Sequence, residues 1–167
     1  MAKKKSFRSM AETSFEYPSL HEEVSEAVSE ELPSTWFNTN GSGEPPNNQY
    51  FSNVMGEFRC DNDNCAKKKW TSKIVAIVIK GYPENGYSAI VFNQRCASCN
   101  HLGNFTLDKQ SYVERVAYRL KKWAGVKTNR PYYAEKDGPP HQADLCEGCK
   151  RGYCQRRNAS GVRLSGF

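Results

Sequence analysis

Apolar residues first gather into a helical pattern. Leu20, Val24, Ala27, Val28 and Leu32 recur at three- and four-residue spacing, which places them near one side of a helix, while Glu22, Glu23, Glu26 and Glu30 occupy the rest. Ser19 followed by Glu22 has the form of a capping box, and Pro33 ends the stretch. The Trp36–Phe37 pair directly after it is expected to anchor this segment onto the main body. Residues 38–48 are rich in Asn, Gly, Ser and Pro and read as a linker or loop.

From residue 50 the pattern changes to strands, with Phe58 leading into Cys60. Residues 70–80 and 87–95 are dense in β-branched and aromatic side chains. Between them lies the turn cluster Gly81-Tyr82-Pro83-Glu84-Asn85-Gly86, so the two runs predict a β-hairpin. A second helix is expected from a cap at Asp108 to about Ala124, with Gly125 at its end. Val113, Val116, Ala117, Leu120 and Trp123 form its apolar stripe, and Lys109, Arg115, Arg119 and Lys122 line the other faces. Residues 127–140 are polar and turn-rich, and residues 155–167 read as a loose basic tail.

Only 38% of the 167 residues are hydrophobic, too few for a large apolar core, so another staple is expected. Cysteine is the candidate. There are seven: Cys60, Cys65, Cys96, Cys99, Cys146, Cys149 and Cys154. An odd number containing two C-x-x-C pairs suits a metal site better than a secreted disulfide framework. The basic start (Lys3, Lys4, Lys5, Arg8) is not followed by an apolar signal core, the longest apolar run is 74–79, and no C-terminal cysteine box marks prenylation. A soluble protein of the cytoplasm or nucleus, without a membrane span, is therefore expected.

Cys60-x₄-Cys65 and Cys96-x₂-Cys99 flank the predicted hairpin. An antiparallel hairpin brings both pairs to its open end, as in a zinc ribbon, where four thiolates satisfy tetrahedral Zn²⁺ and leave no open position. A second ligand set reads His141-x₄-Cys146-x₂-Cys149-x₄-Cys154, with Gly148 and Gly152 available for tight turns. Together these eight residues predict two structural Zn²⁺ ions. His101 is a rival ligand but lies two residues from Cys99, where chelation would be cramped; His21 is expected on the exposed side of the acidic helix. An interleaved partition, as in cross-brace folds, would exchange the pairs between ions without changing the ligands. The expected fold class is α+β: a zinc-ribbon-like antiparallel β-hairpin or small sheet, two flanking helices and a C-terminal zinc-binding loop. Its organisation is an acidic segment over 1–48, a zinc-binding domain over 49–157 and a flexible basic tail over 158–167.

Charge divides at a nearby boundary, between residues 57 and 58. Residues 1–57 hold four Lys/Arg and nine Asp/Glu, a net of −5; residues 58–167 hold twenty and nine, a net of +11. Two zinc ions on seven thiolates would lower the second figure to +8, which still favours an anionic partner, nucleic acid first.

The sequence resembles the 3CxxC-type zinc-finger family, which includes receptor-transporting and zygote-arrest proteins and many fungal members. The resemblance rests on Phe58-Arg59-Cys60, Trp70-Thr71-Ser72, Val91-Phe92-Asn93-Gln94-Arg95-Cys96-Ala97-Ser98-Cys99 and Pro140-His141-Gln142-Ala143-Asp144-Leu145-Cys146-Glu147-Gly148-Cys149, with Gly152 and Cys154 beyond. It spans roughly residues 18–157, and the entry segment from Leu20 to Trp36-Phe37 is closest to the fungal members. Two features depart from it. The first pair is spaced x₄ where the family usually has x₂, so the loop Asp61, Asn62, Asp63, Asn64 should be arranged differently. The membrane anchor of several receptor-transporting proteins has no counterpart at the C-terminus here.

For function, the motifs argue against an enzyme. His141 is followed by Gln142 and Ala143 rather than by x-Glu, neither CxxC is preceded by Pro, and no phosphate loop, nucleophile elbow or thioredoxin-like setting occurs. No small-molecule substrate is expected. Single-stranded RNA is the first expectation, and some members of the resembled family bind RNA. Aromatics (Trp70, Tyr82, Tyr87, Phe92, Trp123, Tyr132, Tyr133) alternate with basic residues, although Trp70, Phe92 and Trp123 also suit a core. The candidate contacts are Lys67, Lys68, Lys69, Lys73, Arg95, Tyr132, Tyr133, Arg156 and Arg157. A protein-binding adaptor or chaperone-like escort is the alternative, docking a client on the acidic helix or a hairpin edge.

Overall fold

Runs of β-branched residues through the middle of the chain build long strands, and the shorter elements add to them. The computed structural model describes residues 12–39, 43, 45–60, 62, 64–65, 69–128 and 142–152. Its strands are β1 (Ser14–Phe15), β2 (Trp36–Phe37), β3 (Asn48–Arg59), β4 (Lys69–Tyr82), β5 (Gly86–Phe92) and β6 (Asn104–Leu107). Its α-helices are α1 (His21–Ala27), α2 (Lys109–Trp123) and α3 (Glu147–Lys150), with 3₁₀ turns at Pro18–Leu20 and Ala143–Leu145. One sheet runs in the order β1-β5-β4-β3-β6, with β2 parallel to β5 and the other pairings antiparallel. The chain is α+β as expected, with α1 and α2 on one face and the C-terminal cysteine segment on the other.

The predicted hairpin is β4–β5. Its turn puts Glu84 (φ 62°) and Asn85 (φ 65°) in the left-handed region, the conformation that matches the twist of two antiparallel strands. Period two then sorts the side chains. Val75, Ile77 and Ile79 of β4 and Tyr87, Ala89 and Val91 of β5 face the helices, whereas Ala76, Val78 and Phe92 face the C-terminal cysteines. Both faces are covered, which is why these strands are apolar almost throughout.

A β-bulge breaks that parity. Val54 pairs with Val75, but Gly56 pairs with Ser72, so Lys73 and Ile74 of β4 stand opposite the single residue Met55. Trp70, five residues before Val75, is thereby turned to the same face as Val75 and packs on the core beneath α2. The bulge also fixes where α2 starts. Met55 N donates to Ser111 Oγ (3.0 Å), and Asp108 N donates to Met55 O (2.9 Å).

Helix α2 forms as expected. Asp108 is its N-cap, with a side-chain oxygen accepting from Ser111 N at 3.1 Å. It ends in a Schellman motif: Gly125 N reaches Lys122 O, Val126 N reaches Lys121 O, and Gly125 takes φ +83°. Tyr112, Val116, Ala117 and Leu120 are buried, with Val113 and Trp123 packed beside them. Arg115, expected on an outer face, is buried as well, because its position lies next to Val116 and Tyr112 on the sheet side.

The N-terminal region differs more. The Ser19–Glu22 capping box does not form: Ser19 lies inside the 3₁₀ turn, and Leu20 takes the N-cap without a side-chain bond. Regular helix stops at Ala27, which is exposed, and turns carry the chain on to Leu32. Leu20, Val24, Val28 and Leu32 nevertheless enter the same core as β4 and β5. Trp36–Phe37 does anchor, as a strand beside β5 with Trp36 lying over Gly86. His21, expected exposed, is half-buried, with its Nδ1 3.0 Å from the Tyr87 hydroxyl. The described part of the 1–48 segment thus shares its core with the domain that follows. Among the described residues, no helix is long and apolar enough to cross a membrane.

Because the Asp108 carboxylate caps α2 through Ser111 N, Asp108→Ala should cost about 1 kcal/mol. Urea unfolding of the metal-loaded protein should show a lower midpoint at unchanged slope; an unchanged midpoint would refute that role for the cap.

Candidate metal centre

Strand β3 delivers Cys60, the connection to β4 carries Cys65, and the chain leaving β5 returns to the same end with Cys96 and Cys99. An aromatic plug lies under this end of the sheet. Phe58 stacks on Trp70 with centroids 5.1 Å apart and meets Phe105 at 4.7 Å. Trp70 also packs against the cysteines.

Each knuckle is closed by an asparagine. In Cys96-Ala97-Ser98-Cys99, Asn100 takes φ 67° and its N–H bonds Cys96 O (2.8 Å), while Cys96 N bonds His101 O (2.8 Å). The longer Cys60–Cys65 loop folds around Asn62. Its carbonyl accepts from Cys65 N (3.0 Å), and its side-chain oxygen accepts from Asn64 N (3.2 Å). The Asn62 backbone N–H also reaches Cys60, and the Asn62 side chain reaches Cys99. This residue is what lets an x₄ spacing chelate beside an x₂ one.

The four Sγ atoms all lie within 4.8 Å of one another, with Cys60–Cys99 and Cys65–Cys96 each at 3.5 Å. A disulfide would require about 2.05 Å. A tetrahedral Zn²⁺ with bonds of about 2.3 Å sets its sulfurs about 3.8 Å apart, and the tetrad fits that spacing. Cys60, Cys65 and Cys96 are buried and Cys99 is half-buried, and the four converge on one site as a zinc ribbon requires. The electrostatics suit an ion-demanding site. Burial pushes the metal-free Cys60 thiol up to about 12, while the Asn62 side chain and the His101 N–H hold Cys99 down to about 6. A proton therefore stays on Cys60 until a cation replaces it. Bound there, zinc would supply a cross-link with a closed coordination sphere. The His101 side chain is exposed and is not part of the tetrad.

The C-terminal cysteines sit on the opposite face of the sheet from the helices. Cys146 Sγ accepts from Cys149 N (3.3 Å) at the head of α3, and both residues are buried against Phe51, Ala76, Val78 and Phe92. Gly148 is required for this docking, since a Cβ there would come within 2.5 Å of the Ala76 Cβ. His141 and Cys154, the other two expected ligands, lie outside the described residues.

Three of the expected nucleic-acid contacts lie among the described residues. Lys69 is exposed and 3.6 Å from Glu57, and Lys73 sits in the bulge. Arg95 is 2.8 Å from Glu147. Lys67, Lys68, Tyr132, Tyr133, Arg156 and Arg157 lie outside the described residues. Tyr82, Tyr87 and Phe92 are buried and so unavailable for stacking, because the hairpin that carries them is covered on both faces. Sequence reasoning passed over Asn62, Asn93, Gln94 and Glu147. For Asn93 and Gln94 a signal was present: two amides between an apolar strand and a ligand cysteine are out of place unless their hydrogen bonds are filled.

A family model described as a zinc-binding domain, the 3CxxC zinc ribbon, matches residues 53–152, and the chain belongs to that family. No curated protein and no solved structure matches it.

Because zinc must displace the proton that Cys60 holds, binding at neutral pH should release protons, and affinity should fall as pH falls. A chelator titration between pH 8 and 5 should show zinc leaving ever more easily toward pH 5, and Cys96→Ser should abolish tetrad binding at every pH. Retention of zinc independent of pH would contradict the site.

Proposed function

We propose that this 3CxxC zinc-ribbon protein is a non-enzymatic module, stabilised by zinc, that binds single-stranded RNA in the cytoplasm or nucleus. Charge carries this reading: residues 58–167 have a net of +11, and +8 with two zinc ions bound. Arg59, Lys69, Lys109, Lys122, Lys127, Lys150 and Arg151 are exposed on the described body. Seven cysteines, an odd number that includes two C-x-x-C pairs, suit a reducing compartment. Cys146 and Cys149, joined by Cys154 and His141, hold the second zinc in this reading. With Tyr82, Tyr87 and Phe92 in the core, electrostatics outweigh stacking, so binding should be strongly salt-dependent and weakly sequence-selective.

A protein-binding adaptor is the second reading, and one observation favours it. Trp36 is 39% exposed, the exposed large apolar side chain among the described residues. It stands beside a groove of about 220 Å³ bordered by Leu32, Gly81, Tyr82, Leu120 and Trp123.

Affinity for a random single-stranded RNA pool should fall between 50 and 200 mM salt, with a log–log slope of about −0.7 per phosphate neutralised. Failure to associate even at low salt would remove the RNA reading, and a protein client recovered through Trp36 would favour the other. The acidic residues of α1 lie on the same body as the basic ones, and Glu31 is 3.8 Å from Lys121. Glu22, Glu23 and Glu26 changed together to Gln should therefore tighten RNA binding several-fold by removing repulsion. Deletion of the segment would be a poorer test, since it takes Leu20, Val24, Val28 and Leu32 out of the core. Unchanged affinity in the triple variant would place the RNA path away from α1.

A further inference from the structure

The two cysteine clusters meet along one stretch of chain. Beyond β5 the backbone of Asn93-Gln94-Arg95 pairs with the C-terminal segment. Glu147 N donates to Asn93 O (3.1 Å), Arg95 N donates to Leu145 O (2.7 Å), and Gln94 lies opposite Cys146. The next residue, Cys96, belongs to the tetrad. The Arg95 side chain then reaches in both directions. Its Nε donates to Glu147 Oε2 at 2.8 Å, and its Nη1 donates to Asn100 O at 3.0 Å. Asn100 closes the second knuckle, and Glu147 is the first residue of α3, directly after its cap Cys146.

Burial makes this contact directional. The Glu147 side chain is 6% exposed and that of Arg95 26%. Arg95 makes the shorter and less exposed of the two cation contacts to this shielded carboxylate, so a knuckle that moves with Arg95 must break the ion pair at Glu147. Lys150 Nζ also lies 3.4 Å from Glu147 Oε2, but on a side chain that is 41% exposed. Lys150 shares the carboxylate without the bridge to Asn100, which makes it an internal control.

We propose that Arg95 and Glu147 are positioning residues for the zinc tetrad, linking closure of the Cys96–Cys99 knuckle to docking of the Cys146–Cys149 segment so that each tightens the other. Such linkage is reciprocal: zinc in the tetrad orders residues 142–152, and undocking that segment loosens zinc.

The full-length zinc-loaded protein tests this by residue-resolved cysteine alkylation under chelator challenge, followed by mass spectrometry. Glu147→Gln and Arg95→Met should each shorten the protection of Cys96 and Cys99 about tenfold, within the usual range for coupled sites. Lys150→Gln should leave it unchanged. In the reverse direction, Cys99→Ser should speed alkylation of Cys146 and Cys149 while hydrogen exchange across residues 75–79 stays slow. Equal protection in all three charge variants would overturn the proposal. So would acceleration accompanied by loss of protection at 75–79, which would mean general destabilisation instead of a link between the clusters.

Discussion

Four sulfur atoms brought within 4.8 Å of one another at the end of a sheet set a constraint on everything around them. As thiolates together they would repel, and burial keeps the proton on Cys60, so the cluster is uncomfortable without a cation. The close pairs are Cys60 with Cys99 and Cys65 with Cys96, each joining parts of the chain more than thirty residues apart. One ion at this point therefore closes the β3–β4 connection and the exit from β5 together, a loop-closure cost that apolar contacts would otherwise have to offset. Phe58, Trp70 and Phe105 stack beneath the tetrad, and their packing depends on the same closure.

A chain with few apolar residues needs each to serve efficiently, and the sheet arranges this by covering both faces of β4 and β5. The helix side takes the larger share, with Ile77, Ile79 and Tyr87 fully enclosed. On the other side Cys146 and Cys149 act as core residues against Ala76 and Phe92, whatever else they bind. Free cysteine is a small hydrophobe, so one residue type can fill space on this face and supply ligands.

Local signals were legible in the sequence. The hairpin followed from two β-branched runs around a turn cluster, α2 from its cap and stripe, and the tetrad from cysteine spacing on that hairpin. What escaped depended on distant partners. Strands β1 and β2 are two residues each and exist because β5 offers an edge. The Ser19–Glu22 pattern looked like a cap, but Pro18 set a 3₁₀ turn there first. Tyr82 and Tyr87 looked like stacking platforms because nothing in their neighbourhood announces that α1 and the cysteine segment will cover the hairpin. The bulge opposite Met55 is equally silent: Ser72 and Lys73 before the apolar run 74–79 fit a regular strand as well as a bulged one, so the change of parity leaves no mark.

That bulge is where the zinc end and the helical layer come together. An extra residue in a strand leaves peptide groups without ladder partners, and each needs another bond if buried. Gln94 supplies one, its Nε2 donating to Ile74 O (3.2 Å) and to Ser72 Oγ (3.3 Å), while its Oε1 accepts from Trp70 Nε1 (3.2 Å). From the other strand, Met55 is satisfied by Ser111 and Asp108 at the start of α2. Asn93, fully buried, ties the same exit to Glu12 O and Gly103 O. An apolar replacement at either amide would leave acceptors such as Ile74 O or Gly103 O short of a donor in the interior. Two polar residues at the mouth of the metal site thus aim Cys96 at its partners, and through the bulge they hold the tetrad and the α2 cap in one frame.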